Sequence, residues 1–580
     1  MKSRHGRKLS IGLGLLATQF GPATAADGSA ETVQLAPVLV SDSAPEEGSA
    51  EQGYRMRRVQ LGPLGDDDAQ KIPYSLFAVS SELMANTQAG NVGDALKYVP
   101  TVLVNTGASQ ITPYFTLRGF TASQTSLPNA AVDGMRAFDI YQPLEDKASI
   151  QVMPGASGFL YGINSPAGII NYVTKRPSAT PTRELSVGSY DRQLSLQAGL
   201  GGPVDAAGRL AYRIDAGLAD AGDTGVDDQS QGRQVLAGSL AWQLTPDTRL
   251  DLGATHAKRN LDYAQALFIT SAAIGIPAAP DASKNYGAPY TFAHDHSSRL
   301  DAALETRLNE VFRLRAHLRS SDIRRAYRLN RQVWQNADLD YKWRLDSQDP
   351  FHIRVNQYAL FLDADFATGP LRHRLSLGAT LDDYDKDYDG ARSQTFASVY
   401  PGNLYGSPGY PALELPKAGT ATAQQTEYTT LLLADRIAIG ESWELLLGAN
   451  RAQVDDQVDS RNPSTGVVTT TRYDSGKTTP AVSVSFTPIP AVTAYAGYSE
   501  ALQQGFVSTA SGNRGQVFAP YVGRQQEVGA KTRFGALGLD AALFRIQQAN
   551  QYTDTATQVA SQDGRAIHEG WEISVTGRVG

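Results

Sequence analysis

The sequence predicts an all-β transmembrane barrel preceded by a smaller α+β domain. Three observations carry this expectation. Beyond Pro177, apolar and polar residues alternate with period two in segment after segment, as in strands with one apolar and one polar face. The connections between those segments alternate between short and long. No stretch of the 580 residues approaches the run of about eighteen apolar residues that marks a membrane helix.

The elements follow in order. Lys2, Arg4, Arg7 and Lys8 precede the apolar stretch "LSIGLGLLATQF" and then "GPATAA". A basic start, a short apolar core and small residues at Ala23 and Ala25 read as a secretory signal over residues 1–25. With no helical span behind it, the chain is expected in a bacterial envelope. Residues 26–53 are rich in Ala, Ser, Glu, Gly and Gln and read as a flexible tether. One apolar island, "LAPVLVSD" (Leu35–Asp42), could add as a strand to a partner's sheet edge.

Residues 54–177 read as a compact mixed domain. "SELMANTQAGNVGDALKYVP" holds a short amphipathic helix near Val92–Val99, stopped by Pro100. "YFTLRGF" and "AAVDGMR" read as short strands with turns. "FLYGINSPAGIINYVTKRP" (Phe159–Pro177) sets Gly, Ser, Pro and Ala inside an apolar run and fits neither a clean strand nor a helix.

Residues 178–580 carry the alternation. Leu210, Tyr212, Ile214, Ala216 and Leu218 alternate with polar or small neighbours, and Leu300–Leu308, Phe312–Leu318, Leu375–Leu381 and Val482–Phe486 repeat the pattern. Short links such as "TPDT", "ATGP", "GES" and "FGAL" alternate with long ones near 259–298, 325–350, 385–425 and 504–522. Tight turns on one side and long loops on the other are the rhythm of an outer-membrane barrel. Only a closed barrel satisfies every strand's backbone groups in lipid.

Composition narrows the function. There is no cysteine, which excludes disulfides and thiolate metal sites. The net charge is −7 with no basic run, so nucleic acid is not the expected partner. Tyrosines number 26 against 18 phenylalanines and 5 tryptophans, a bias that suits interfaces and ligand contacts. Eight histidines are scattered without metal-ligand spacing, and no "GxSxG" elbow is present. The chain is not expected to be an enzyme.

The residues resemble a known family, the TonB-dependent outer-membrane receptors of the ferric-siderophore class. "LAPVLVSD" is similar to the TonB box. "GDALKYVPTVLV", "FTLRGF", "VDGMR" and "FLYGINSPAGIINYVTKRP" resemble the plug motifs in order, and "GRLAYRIDAG", "VTAYAGYSEAL", "RQQEVGAKTRF" and "GWEISVTGR" resemble barrel motifs. The resemblance implies a plug domain lodged in a barrel of about 22 strands. It implies uptake of an iron(III)–siderophore complex across the Gram-negative outer membrane, energised by TonB pairing with Leu35, Pro37, Val38, Leu39 and Val40. No covalent cofactor is implied, and the surrounding partners are lipid and lipopolysaccharide.

By position in the motifs, Arg118 is expected near the ligand at the plug apex, with Arg136 and Tyr141 beside it. Guanidinium forks and aromatic faces complement oxygen-rich, anionic chelates. The alternative for Arg118 is a plug–barrel ion pair. Tyr263, Trp334 and Tyr388 are loop candidates, with Tyr286, Tyr290 and Trp343 as further aromatic residues. The alternative for each is an ordinary loop or belt role.

Two departures stand out. Relatives carry an Arg-x-Glu pair and a following Lys before "LYG", which help latch the plug; here Ser149, Gln151 and Pro154 stand there, with Glu145 and Lys147 nearby. From Arg183 to Gly580 the rhythm gives about 16 strands, about six fewer than the family type. The chain is therefore expected to be C-terminally truncated, with a non-functional fragment as one alternative. Another is uptake of haem, cobalamin or a different scarce ligand; His294 and His296 in a long loop keep haem open. A signalling role is not expected, because residues 26–53 are too few for an extra folded domain.

Overall fold

The computed structural model describes residues 47–105, 114–123, 129–156, 158–190, 193–270, 274–396, 402–406 and 420–578. The signal segment and Leu35–Asp42 lie outside the described residues.

The N-terminal domain is built on a five-stranded sheet. Its order is Phe77–Ser80, Lys147–Pro154, Gly168–Thr174, Ala130–Val132 and Met135–Arg136. Val102–Val104, Tyr114–Leu117 and Phe120–Ser123 form a second, three-stranded sheet. Helix Ser81–Asn86 starts where the Ser80 hydroxyl accepts from the Leu83 N–H at 3.2 Å. Helix Val92–Leu96 starts the same way on Asn91, which accepts from the Asp94 N–H at 3.1 Å. The first helix was not expected. The second falls within the expected span but ends at Leu96.

Val79, Leu96, Phe115, Leu117, Ile150, Ile170 and Tyr172 form the domain's core. Residues 47–53, expected to belong to a flexible tether, are folded here. Ala50–Gln52 makes a 3-10 turn whose Ala50 N–H donates to Glu82 at 3.1 Å.

The opening of "FLYGINSPAGIINYVTKRP" is a helical turn, Gly158–Tyr161, and its end is the strand Gly168–Thr174. Gly168 has φ +116°, and the Met153 carbonyl and Pro154 backbone occupy the place a Cβ would take. Only glycine lets the two strands meet there.

The large sheet contains eighteen strands, two of them short pieces at Leu267–Ile269 and Gly402–Asn403. The remaining sixteen agree with the number expected and pair with their sequence neighbours in antiparallel fashion. They are β1 (Thr182–Tyr190), β2 (Gln193–Pro203), β3 (Leu210–Asp223), β4 (Ser230–Thr245) and β5 (Thr248–Asp262). Next come β6 (Phe292–Arg307), β7 (Phe312–Trp334), β8 (Asp340–Thr368), β9 (Leu371–Phe396) and β10 (Thr420–Ile439). Last are β11 (Trp443–Arg461), β12 (Val468–Ile489), β13 (Val492–Gln503), β14 (Tyr521–Phe534), β15 (Leu537–Thr553) and β16 (Ala560–Gly577). β1 and β16 are the sheet's outer strands, and among the described residues no ladder joins them.

One face of this sheet is apolar. Leu300, Leu318, Leu360, Leu377 and Leu431 are exposed on it, while Arg299, Arg319, Gln357, Ser376 and Thr430 are buried on the other. Trp242, Phe312, Phe366, Trp443 and Phe534 stand exposed close to the short turns, as an aromatic belt does at a membrane interface.

β7, β8 and β9 run 23, 29 and 26 residues, far beyond the about 9–11 a strand needs to cross lipid. The long connection expected at 325–350 is largely strand, and of that expected at 385–425, residues 385–396 and 420–425 are strand. The β7–β8 link is only 335–339, and β9 continues to Phe396. Beyond the bilayer both faces of a strand meet water, so period-two hydropathy fades while the ladder continues.

Candidate functional site

The plug domain meets the inner face of the sheet through a buried ion cluster. Arg118 begins the turn between the two hairpin strands of "FTLRGF", and its φ is +49°. Its Nη1 lies 2.6 Å from Glu527 of β14 and its Nη2 lies 2.7 Å from Glu572 of β16. Nη2 also donates to the Ser75 hydroxyl at 3.0 Å, and the guanidinium sits 4.2 Å from the Phe544 ring centre. The Ser75 hydroxyl and Tyr495 hydroxyl donate in turn to Glu527 at 2.9 and 2.7 Å. The Arg118 side chain is 0% exposed. Burial opposes its charge, but the two carboxylates outweigh burial and raise its pKa. Every direction of the fork is occupied by protein, the arrangement of a plug–barrel tie.

Further ties run to the opposite wall. Glu145 accepts from Arg233 of β4 at 2.8 Å. Asp139 lies 3.8 Å from Arg299 of β6, and Asp67 pairs with Arg436 of β10. Lys147 does not reach the barrel: it is fully buried and pairs with Asp146 at 2.5 Å. Burial lowers its pKa, and Asp146 only partly offsets that. Gln151 stays inside the plug, where its side-chain oxygen accepts from the Gln60 N–H at 3.0 Å. Thus, of the two charged residues near the lost Arg-x-Glu pair, Glu145 bridges to the barrel.

Arg136 is not on an open apex. It is 6% exposed, donates through Nη2 to the Tyr161 carbonyl at 2.6 Å and lies 4.8 Å from the Tyr428 ring centre. Its Nε is 3.6 Å from Asp382 of β9. Tyr141 lies under the Arg259 guanidinium at 5.3 Å, and burial pushes its phenol pKa up. Tyr263 forms a loop corner at φ +56°, and its carbonyl accepts from Asn285 at 2.7 Å. Trp334 is 7% exposed and stacked on Phe268 at 5.3 Å, in a cluster with Tyr341, Trp343 and Leu404. Tyr388 lies on β9 opposite Phe351 and Thr422, and its side chain lies outside the described ones.

Thus Arg136 and Tyr141 lie on the plug with their rings and charges against the upper barrel, while Trp334, the last residue of β7, and Tyr263, just past β5, lie at the outer ends of strands. The sequence reading missed Arg259, Asp295, Arg325 and Tyr327. Arg259 and Arg325 flank Asp295 at 2.5 and 3.3 Å, and Arg325 lies 5.2 Å from the Tyr327 ring. Their signal was the alternation itself, because Arg259, Asp295 and Arg325 are charges on the lumen-facing register of β5, β6 and β7. Tyr384, Tyr428 and Tyr473 face the plug residues Phe138 and Ile140 across the lumen. His294 and His296 share the outer register of Leu300, and His294 is bonded to Asp262 at 2.8 Å. They do not point into the lumen.

Below Arg136 the plug stands away from β5–β9. A cavity of about 560 Å3 lies between them, lined among others by Arg58, Asp133, Tyr161, Arg315 and Asp363.

A plug seated inside a strand sheet with a lipid-facing outer band defines a gated outer-membrane receptor. Residues 241–580 match the family described as "TonB dependent receptor-like, beta-barrel", and residues 68–169 match "TonB-dependent Receptor Plug Domain". The chain belongs to the TonB-dependent receptors and is an outer-membrane protein.

It is similar to the metal-pseudopaline receptor CntO of Pseudomonas aeruginosa strain PAO1, 26% identical over 98% of this chain and 80% of that protein. It is similar to the ferrichrome outer membrane transporter/phage receptor of Escherichia coli K12, 25% identical over 82% of this chain and 66% of that protein. The crystal structure of BauA, the ferric preacinetobactin receptor of Acinetobacter baumannii, superposes with TM-score 0.80 at 20% identity, covering 90% of this chain and 78% of that one.

Proposed function

We propose that the protein binds a ferric siderophore from the outer face and imports it with energy delivered through TonB. The observation that carries this reading is the buried Arg118–Glu527–Glu572 cluster, which holds a plug inside the lumen. Breaking such a cluster is costly, so passage needs work supplied from outside the barrel. Strand addition at Leu35–Val40 is the proposed point of coupling, because several backbone hydrogen bonds loaded together can bear force.

The chemistry of the upper lumen supports the ligand class. Arg259, Arg325, Tyr141 and Tyr327 offer charge and flat faces to an anionic, oxygen-rich chelate. Relatives that receive metal-pseudopaline, ferrichrome and preacinetobactin point the same way. Arg118 acts as a tie rather than a ligand contact, and Tyr263, Trp334 and Tyr388 belong to the outer loops and rim. Haem is not favoured, since His294 and His296 face outward.

The test is iron uptake by cells that carry this receptor as their sole siderophore receptor. Radio-iron chelates of the hydroxamate, catecholate and mixed classes are expected to bind, and at least one to be imported. Val38→Pro is expected to abolish import and leave binding intact. Haem retention without binding of any ferric chelate would overturn the reading.

A further inference from the structure

The cavity between the plug and β5–β9 contains two donors with no partner. Arg136 Nη1 and the Tyr161 hydroxyl are buried and make no hydrogen bond among the described residues. Both residues are more than nine-tenths buried, and both line the cavity. An unmade hydrogen bond at a buried donor costs about 1–3 kcal/mol, so these two groups call for an acceptor.

Their positions are fixed. The other end of the Arg136 fork is held by the Tyr161 carbonyl, and its plane rests near Tyr428. Gly62, at φ +57°, packs against the hydroxyl, and a Cβ there would lie 2.6 Å from it. Any side chain there would cap the donor.

The cavity also has the size and reach of a ligand site. Its volume of about 560 Å3 falls in the range of small-molecule sites, about 300–1,000 Å3. Arg313 and Arg374 line its lower end next to the short turns and are about half exposed, so it meets water on the turn side. A smaller space of about 100 Å3 adjoins it and shares Asp133, Arg176, Asp251, Ala303 and His317. The lining mixes arginines with aspartates, which lets an anion bind without a deep trap. That is the requirement for passage.

We propose that this cavity is a second, inner binding station for the ferric chelate. It is occupied after the plug has shifted, with Arg136 Nη1 and the Tyr161 hydroxyl donating to the oxygen atoms of the chelate. This rests on the functional reading above. It gives Arg136 a contact with ligand in transit rather than at first capture.

The absence of cysteine makes the test clean. Ala303→Cys, on the cavity wall, is expressed in the outer membrane and modified with a bulky thiol reagent. Modification is followed by mass. Surface binding of the radio-iron chelates is expected to stay unchanged, and uptake to fall at least tenfold. Chelate is expected to slow labelling of the cysteine in energised cells and not in de-energised ones. Ser376→Cys serves as a second site should the first variant not reach the membrane. Arg136→Lys and Tyr161→Phe are expected to slow uptake several-fold at unchanged surface affinity. Modified receptor that imports at the unmodified rate would overturn the inner station alone. A parent receptor that binds none of the chelates would overturn the functional reading, and the station with it.

Discussion

Against β14 and β16 a single plug arginine meets two barrel glutamates; against β4, β6 and β10 plug acids meet barrel arginines. The first contact is a focused one. Arg118 is fully enclosed, and Ser75, Tyr495 and Phe544 complete its surroundings. The second is spread over several strands, with partners 2.8 to 3.8 Å apart at Glu145 and Asp139. Losing the one arginine strands two buried carboxylates at once, whereas a dispersed set loses one pair at a time. The difference teaches that the plug is held by one focused cluster on one side and by dispersed pairs on the other.

The largest expected effect tests the focused cluster. Arg118→Ala leaves Glu527 and Glu572 buried without a counter-charge, and breaking a buried pair costs about 3–5 kcal/mol. Plug protection from protease is expected to fall, and cells are expected to admit large antibiotics that the parent excludes. Arg118→Lys is expected to rescue only part of this, since one ammonium cannot serve the same fork. A fully tight Arg118→Ala receptor would erase the distinction between the two sides.

A smaller effect tests the dispersed pairs. Glu145→Gln is expected to cost about 1.5–3 kcal/mol, the worth of a charged hydrogen bond. Thermal unfolding in detergent would measure it. Exchanging the pair, Glu145→Arg with Arg233→Glu, is expected to restore part of the loss.

Acid tests the plug's own carboxyls. Burial pushes the Asp67 and Asp133 carboxyls up, but Arg436 beside the first and Arg176 beside the second hold both below the usual range. Carboxyls with depressed folded values contribute stability that is complete above the unfolded pKa of about 3.9 and is lost as pH falls through the folded values. Limited proteolysis is expected to show the plug loosening below about pH 4.

The smallest effect lies outside the lumen and serves as a control. Asp435 shares the lipid-facing register of Leu431 and Leu433 on β10, near the short turns, and is held by His373 at 2.8 Å. Asp435→Leu is expected to change stability by only about 0–1 kcal/mol, as acids near the interface do, with no change in plug protection.

The barrel was legible because lipid imposes one rule on every strand. Leu300, Leu318 and Leu377 keep that rule, so their segments read as strands from the chain alone. Asn330, Asp346 and Gln394 lie in ladders beyond lipid, where no such rule holds, and their strands read as loops. The site was legible by residue type and not by partner. Arg118 stood out in its motif, but nothing local told whether it met a chelate or Glu527, 409 positions away. The Glu145–Arg233 pair joins residues 88 positions apart and has no sequence signature. Arg136 was marked as a ligand contact at the apex, and only the folded chain places it above an inner cavity.

The height of β7–β9 has a kinetic consequence. A 29-residue strand is about 95 Å long at about 3.3 Å per residue. After tilt and the thickness of the bilayer, some tens of ångströms remain outside. A solute that drifts against these three strands meets a wall on that side. It cannot leave through that wall and strikes it before turning away. A tall wall of this kind lengthens a visit beside it before any specific contact forms.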